Sequence, residues 1–309
     1  MINRLRKELS LHINSLDVIH THWTYEFAMA CSYFTNIKPI FCTIRDWAPI
    51  IRRYEKGHRK LMWYLIQERI FKKVLSNKSF YFIANSRYIY ELMKKKYPQN
   101  KCYTIENPIK KDFIRLDRTS YPRTPILVSI CQDLLDQRKN NTRLLKAFKL
   151  YLKTNKEAKL YLVGAYNKNH KTYKYWVAND LLKNVILLGF KDHDQIINLL
   201  DTASILVHPS LEESFGNTLL EGMARRIPVI GGKESGAVPY VLGLGKYGYL
   251  ADVTDINNIV ATIKKASNEV NNEEIINNAT AYLLNNLNEE VISLRHITLF
   301  KEVLHYNKK

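Results

Sequence analysis

The stretch "HPSLEESFGNTLLEGMARRIPVIGG", His208 to Gly232, sets two carboxylates, Glu213 and Glu221, on either side of a small polar turn before an apolar helix. "ASILVHPS" reads as a buried strand ending in a His-Pro-Ser turn, and "NTLLEGMAR" as a helix with Asn217 as its N-cap. The segment between them is a loop at the carboxyl end of a strand, leading into a helix N-terminus. Such a terminus presents unpaired backbone N–H groups and a partial positive charge, a natural seat for a pyrophosphate. Glu213 precedes the helix and Glu221 lies about one turn inside it, so the pair can reach what lies at the two ends of that pyrophosphate. Ionised carboxylates only accept hydrogen bonds and suit vicinal hydroxyl pairs. A diphosphate with a hydroxylated ring at each end is a nucleotide sugar, and the spacing suits one carboxylate on the sugar and one on the ribose. An acidic first turn that complements the helix dipole explains Glu221 alone equally well. It does not explain why Ser214, Phe215, Gly216 and Asn217 occur together.

The elements that must position this loop alternate along the chain. In the first half "LDVIHTH", "KPIFCTI", "SFYFIAN" and "KCYTIEN" read as strands, with helices near 24–35, 50–75 and 86–97. In the second half "PILVSI", "AKLYLVG", "NVILLGF", "ASILVHP" and "IPVIGG" read as strands, with helices near 141–153, 173–182, 193–201 and 218–225. From Asp255 onward the chain reads as mostly helical. Strand and helix in alternation predict an α/β fold of parallel sheets. "RTSYPRTP", Arg118 to Pro125, is polar, holds two prolines and precedes a fresh strand. It divides the chain into 1–120 and 121–309, two Rossmann-like domains, with the last helix free to return to the first. Ligands of such folds sit at the carboxyl ends of the strands, here in a cleft the two domains face across.

Composition bounds the partners. The 309 residues are 46% hydrophobic and carry a formal net charge of +18. Residues 1–120 hold 23 Lys and Arg against 10 Asp and Glu, so the excess sits in the first half. That bias fits nucleic acid, an anionic membrane or phosphate-bearing substrates, and also fits a solvated Lys-rich surface. A nucleic-acid binder is disfavoured because the expected aromatic-basic motifs are missing. There is no apolar run long enough to span a bilayer and no signal-peptide core, so a cytoplasmic protein is expected. Cys31, Cys42, Cys102 and Cys131 lie in apolar surroundings without CxxC spacing, which fits buried thiols.

"HPSLEESFGNTLLEGMA" resembles the E-x7-E signature of retaining glycosyltransferases of family 4, which have the GT-B fold. The similarity continues through "PVIGGKESGAVPYVLGLGKYGYLADVTD", in the manner of the branch that builds bacterial exopolysaccharide, capsule and lipopolysaccharide. The resemblance implies that Glu213 binds the donor sugar near the reacting carbon and that Glu221 takes the ribose hydroxyls. Phe215, Gly216, Asn217 and Thr218, with Ser214, bring the loop to the diphosphate. The family places a basic residue after the first strand of this domain, and "VSICQDLLDQRKNNTRLLKAF" supplies Lys139 there. A cation at that place offsets the charge that builds on the departing nucleoside diphosphate. The family's usual "GR" falls at Ile130-Cys131, so Arg138 stands in for the missing arginine. No metal and no cofactor are implied; the co-substrate is a UDP- or GDP-linked sugar. "DHD", Asp192 to Asp194, is read as helix capping and not as a metal motif.

In the first half "DVIHTHWTYEF" resembles the family's "DvvHaHw" strand end, which assigns His22 a place at the reaction and Trp23 a stacking role on the acceptor side. His20 and His22 also suit plain strand hydrogen bonding. "PIFCTIRDWAPI" falls where the family has "TlHD", and puts Arg45 where a histidine is usual. The family's opening strand and glycine-rich turn are missing, so a shortened first domain is expected. The helix from Arg52 to Leu75 is basic with an apolar side, and suits either the core or peripheral contact with an anionic inner leaflet near a polyprenyl-linked acceptor. The implied activity is transfer of a sugar from a nucleotide donor to a surface polysaccharide or lipid-linked glycan. The alternative is an impaired relative that binds a nucleotide sugar or glycan without turning it over.

Overall fold

The computed structural model describes residues 1–54, 58–118, 120–267 and 272–306. Two compact units are present, Met1–Asn107 with the final helix from Glu290, and Pro108–Glu289. The strands are β1 (Ile19–His22), β2 (Ile40–Ile44), β3 (Phe80–Ala84), β4 (Lys101–Thr104), β5 (Ile126–Asp133), β6 (Lys159–Ala165), β7 (Val185–Gly189), β8 (Ile205–His208), β9 (Val229–Gly232) and β10 (Tyr249–Ala251). The helices are α1 (Ile2–His12), α2 (Glu26–Cys31), α3 (Ala48–Ile51), α4 (His58–Leu75), α5 (Arg87–Lys96), α6 (Asn141–Tyr151), α7 (Lys171–Ala178), α8 (His193–Thr202), α9 (Asn217–Ala224), α10 (Val238–Val241), α11 (Ile256–Ala266), α12 (Asn272–Tyr282) and α13 (Glu289–Tyr306).

The first unit has a four-stranded sheet in the order β1-β2-β3-β4, all parallel. β2 and β3 are buried at every position, as expected of strands covered on both faces. Their core takes in Ile40, Ile44, Phe80, Phe82, Phe71 and Leu75. Within this unit α13 lays Phe300 against Phe41, with ring centroids 4.4 Å apart. α4 is fixed by Glu68, which lies between Arg52 at 2.6 Å and Lys72 at 2.7 Å, and by Gln67, which donates to Glu26 at 2.6 Å. Glu55–Gly57, within the basic stretch singled out above, lie outside the described residues.

The second unit has a six-stranded parallel sheet in the order β10-β9-β8-β5-β6-β7. The chain runs outward from β5 through β6 to β7, then crosses back so that β8 pairs with the other side of β5 through Leu127↔Ile205 and Val128↔Leu206. β5 and β8 therefore form a topological switch point, where the following loops diverge and leave a crevice at their carboxyl ends. The core beneath includes Phe148, Tyr151, Trp176, Leu160, Leu162 and Ile205. Trp176 is fully buried, and its indole N–H is satisfied by Thr142 Oγ1 at 2.8 Å.

All nine strands read from the sequence are present. β10, α1 and α10 are additional. The division between the units falls at Asn107–Pro108, ahead of the Arg118–Pro125 stretch. That stretch belongs to the second unit and is held there by Arg118, whose guanidinium donates to the carbonyls of Leu200 (3.1 Å), Asp201 (3.1 Å), Ala203 (2.6 Å) and Arg225 (3.3 Å). A composition of proline and polar residues marks irregular chain, and does not exclude irregular chain that is hydrogen-bonded along its length.

Candidate functional site

The switch point carries the two loops that matter. After β5 the chain makes a short turn in which Asp136 Oδ1 accepts from the Arg138 amide at 2.8 Å, and Asn140 takes a left-handed conformation at φ 58°. The Asn140 side chain donates to Pro209 O at 3.0 Å and Val253 O at 2.8 Å, which ties this turn to the segments after β8 and β10. Two further bonds join it to the β8–α9 loop. Leu211 N donates to Arg138 O at 2.8 Å, and Arg138 Nη1 donates to Glu212 O at 3.1 Å. One backbone–backbone bond and three side-chain-to-carbonyl bonds thus fix the two loops against each other.

The charges then converge on Glu213, which is buried. Its Oε1 accepts from Lys139 Nζ at 2.5 Å and from His208 Nε2 at 3.1 Å, while Arg138 Nη1 stands 3.8 Å from Oε2. An ionised carboxylate only accepts, so His208 Nε2 carries a hydrogen. In the neutral ring Nδ1 is then the acceptor for the Thr218 hydroxyl at 3.0 Å. Burial pulls the Glu213 carboxyl upward, but Lys139, His208 and Arg138 together outweigh it and hold it well below the usual carboxylate range. Ala237 N donates to Glu213 O at 2.9 Å, and Ser235 Oγ to Ser210 O at 2.6 Å, so the loop after β9 braces the same turn. Gly232 is required there, because a Cβ would lie 1.9 Å from Ser235 Oγ.

α9 starts one residue earlier than the sequence suggests. Gly216, at φ 95°, is the N-cap and Asn217 the first helical residue, and no side chain caps the helix. The chain enters the helix through a left-handed residue, which glycine adopts without a Cβ penalty, so the cap falls at Gly216. Phe215 is buried in the core, which leaves its backbone as its contribution to the loop surface; Ser214 and Thr218 are half-buried and Asn217 is exposed. Glu221 lies on the second turn of α9. Its Oε2 is enclosed and has no hydrogen-bond partner. Burial pushes its carboxyl up to about 7, opposed by Lys110.

In the first unit, His22 and Trp23 end β1, and Arg45 follows β2. Arg45 Nε and Nη2 both approach His22 Nδ1, at 3.2 and 2.9 Å, and Nη1 donates to Asn107 Oδ1 at 3.0 Å. A guanidinium only donates, so in the neutral ring Nδ1 accepts and Nε2 carries the hydrogen. Burial, then Arg45 and His296, lower the His22 pKa and keep that ring neutral. His22 is thereby a hydrogen-bond donor and not a base. The His20 ring lies beside it, with centroids 4.4 Å apart and planes tilted by 46°, and is pushed down to about 3 by burial, His22, His296 and Arg45. Trp23 sits at φ 71°, a left-handed conformation that costs a bulky residue about 1–3 kcal/mol. Its amide bonds Thr43 O at 3.0 Å, and its ring stacks on Tyr25.

The structure therefore gathers Glu213, Lys139, Arg138 and Thr218 into one cluster, places Glu221 on the adjoining helix, and gathers His22, Trp23 and Arg45 separately in the first unit. His208, Asn140, Lys110 and Asn107 were not singled out from the sequence. His208 stands at the start of the motif, where its strand-end position was the only available signal; the other three meet their partners across long sequence separations. Asp192 caps α8 in a reciprocal capping box with Gln195, as the reading of "DHD" expected. Among the described residues no group of three or more His, Cys, Asp or Glu is placed to hold a metal ion.

A family model described as glycosyl transferases group 1 matches residues 114–282, and one described as glycosyltransferase family 4 matches residues 1–113. An uncharacterised glycosyltransferase of Methanocaldococcus jannaschii is 25% identical over 260 residues, covering 84% of this chain and 67% of its own. The capsular polysaccharide biosynthesis glycosyltransferase CapM of Staphylococcus aureus is 26% identical over 137 residues, covering 43% of this chain and 34% of its own. The alignment with CapM thus spans about a third of that relative's length. The solved structure of Anabaena HepE in complex with UDP and glucose superposes with a TM-score of 0.76 at 16% identity, covering 96% of this chain and 81% of that one. At this identity the likeness shows the shared GT-B fold.

Two outcomes follow from the charges. Lys139→Met leaves the Glu213 carboxylate buried without its main counter-ion and is expected to cost about 2–4 kcal/mol in urea unfolding. Adding Glu213→Gln should recover most of that loss, and a double variant no more stable than the single one would show that the two are not coupled. Glu221 has the opposite sign. The folded protein holds its proton up to about pH 7, whereas an ordinary glutamate releases it near 4.5, so stability falls as pH rises between those values. Glu221→Gln is therefore expected to raise stability by about 2–3 kcal/mol at pH 8, with the gain fading toward pH 4.5. Thermal melts across that range read it directly.

Proposed function

The chain belongs to the group 1 glycosyl transferases, and we propose that it moves a sugar from a nucleoside-diphosphate donor to a glycan acceptor, with retention at the anomeric carbon. The observation that carries this reading is the orphaned Oε2 of Glu221, enclosed on an uncapped helix beside the Lys139–Glu213 cluster. A buried carboxylate oxygen without a partner costs stability, and a ribose hydroxyl supplies the missing donor. The N-terminus of α9 supplies dipole and amides for the diphosphate. Lys139, with Arg138 behind it, faces the charge that builds as the nucleoside diphosphate departs, and Glu213 holds that lysine while accepting from a sugar hydroxyl. No side chain in the cluster is placed as a nucleophile in this reading. The sugar passes through an oxocarbenium-like state stabilised by the departing phosphate. His22 donates from Nε2, Trp23 offers a stacking face, and Arg45 fixes the His22 tautomer on the acceptor side.

The donor is a UDP- or GDP-linked sugar, and the acceptor a surface polysaccharide or lipid-linked glycan. The names of HepE's bound UDP and glucose, and of CapM's capsular role, support these classes. Peripheral contact with an anionic membrane is part of the same proposal. α4 exposes Met62, Trp63 and Ile66 together with Arg69, Lys72 and Lys73, an apolar patch beside cations. No described helix is long and apolar enough to cross a membrane.

Calorimetry with UDP and GDP tests the donor site. Binding at pH 7 is expected to release a fraction of a proton as ribose hydroxyls draw Glu221 into its ionised form, and Glu221→Ala should remove both that release and at least tenfold in affinity. Equal affinity for the dideoxyribose analogue would defeat the assignment. Tight binding with neither donor hydrolysis nor transfer would make the protein a nucleotide-sugar binder. For the membrane, Ile66→Glu is expected to lower flotation with phosphatidylglycerol vesicles at least threefold, and unchanged flotation would remove α4 from the contact.

A further inference from the structure

The second unit holds a cavity of about 570 Å³ at the edge of its sheet away from the switch-point loops, within the size range of ligand pockets. Pro125, Ser204 and Pro228 line it, and each stands just ahead of a strand: β5, β8 or β9. These strands are parallel, so the cavity lies at their amino ends and the Lys139–Glu213 pair beyond their carboxyl ends. β5 alone runs eight residues, about 25 Å of extended chain.

Helix C-termini gather at the amino ends of parallel strands, and their free carbonyls favour cations. Arg118 answers that need, since its guanidinium donates to carbonyls at the ends of α8 and α9 and lies over the Tyr121 ring at 4.6 Å. The other two arginines lining the cavity, Arg123 and Arg226, are not spent in this way. Arg226 closes α9 in the left-handed conformation, at φ 55°, with its N–H on Met223 O at 3.0 Å and the Ile227 N–H on Gly222 O at 3.2 Å. Glycine takes that position freely and arginine takes it under strain, so what the position gains is a guanidinium. Its Nη atoms donate to neutral acceptors, Asn277 Oδ1 at 2.7 Å and Thr280 Oγ1 at 3.2 Å, and its enclosed Nε has no hydrogen-bond partner. Arg123 is exposed. Nearby, Arg115 and Arg225 share Asp201, whereas Arg118, Arg123 and Arg226 meet no carboxylate at ion-pair distance among the described residues. Glu273, exposed, is the one carboxylate among the described residues that line the cavity. Ser204 accepts from Ile126 N at 3.0 Å and keeps its hydroxyl hydrogen to donate.

We propose that this cavity is a second ligand site, for a small organic phosphate whose phosphate is met by Arg123 and Arg226 and whose hydroxyls are met by Ser204 and Asn272. Guanidinium forks suit phosphate oxygens, and three arginines against one exposed glutamate leave the lining positive. The volume takes more than a bare anion, and Pro125, Pro228 and Ile276 offer apolar surface to its body. The site is separate from the donor crevice and stands independently of the donor's identity.

Calorimetry with glucose 6-phosphate tests this, with glucose and inorganic phosphate as controls, and with each titration repeated in saturating UDP or GDP. Glucose 6-phosphate is expected to bind saturably, at least tenfold more tightly than either control, and to keep its affinity beside the nucleoside diphosphate. Arg123→Gln, on an exposed side chain, should weaken it at least fivefold with the thermal melt and the UDP or GDP affinity unchanged. Arg226→Lys keeps the charge but loses the fork, and should weaken it by a similar factor. Affinity no better than that of glucose or of inorganic phosphate overturns the inference, as does binding that neither arginine variant affects. Binding lost in saturating nucleoside diphosphate assigns the ligand to the donor crevice and overturns it too. If neither UDP nor GDP binds, the reading of function fails, and the two arginine variants still decide this site.

Discussion

The ion pair between Lys139 and Glu213 is the charged contact that joins the two loops at the second unit's switch point. Its two members come from loops far apart in the chain, and they meet because the strand order makes β5 and β8 neighbours. Burying a carboxylate costs several kcal/mol unless its oxygens are matched, and here a lysine and a histidine match the same oxygen. The loops are also positioned by hydrogen bonds to backbone carbonyls. Arg138 O, Glu212 O, Pro209 O and Val253 O are all used to clamp the loops together. With the frame already rigid, the ion pair adds little ordering entropy of its own, and its geometry is available to a ligand without rearrangement.

The two units handle charge in opposite ways. Around Glu213 every charge has a counter-charge nearby, and the carboxyl is driven well below its ordinary range. Around Arg45 the visible partners are an imidazole nitrogen and an amide oxygen, and the neighbouring histidines are driven neutral. The first arrangement resists protonation and keeps an acceptor ready for hydroxyls. The second sets a guanidinium against imidazole rings whose pKa values are lowered. Glu221 belongs to neither pattern. It is a carboxyl pushed up to about 7 by burial, and its enclosed Oε2 lacks a donor among the described residues.

Strand positions were legible because parallel strands buried on both faces are continuous apolar runs, and Phe80–Ala84 or Ile205–His208 can hardly be read otherwise. The motif loop was legible as a strand end followed by a helix start. What was not legible is instructive. Asn217 has the better capping side chain, yet Gly216 is the cap, since the turn demands a positive φ that only the neighbouring glycine takes freely. α1 went unread because Arg4, Arg6, Lys7 and Glu8 obscure an apolar side that the fold leaves only half-buried. Arg118 looked like linker chemistry, whereas its guanidinium fastens that segment to carbonyls at the ends of α8 and α9. Lys110 and His208 gain their roles only from three-dimensional neighbours, which spacing in one dimension does not encode.

The location of the positive charge argues that the donor is not its cause. Of the net +18, most lies in residues 1–120, whereas Lys139, Arg138, Glu213 and Glu221 all lie beyond them. Lys139 and Arg138 are moreover balanced locally, by Glu213 and Asp136. A diphosphate held by one lysine and a helix terminus does not call for a field of that size. The unbalanced cations lie on the outer faces of α1, α4 and α5, where Arg4, Arg6, Arg69, Lys73, Lys95 and Lys96 are exposed. Charges spread over several helices act together on extended anionic surfaces and weakly on single small ligands. Exposed cations and the exposed apolar patch of α4 thus share one unit, and the proposed peripheral contact accounts for a bias that the proposed donor site leaves unexplained.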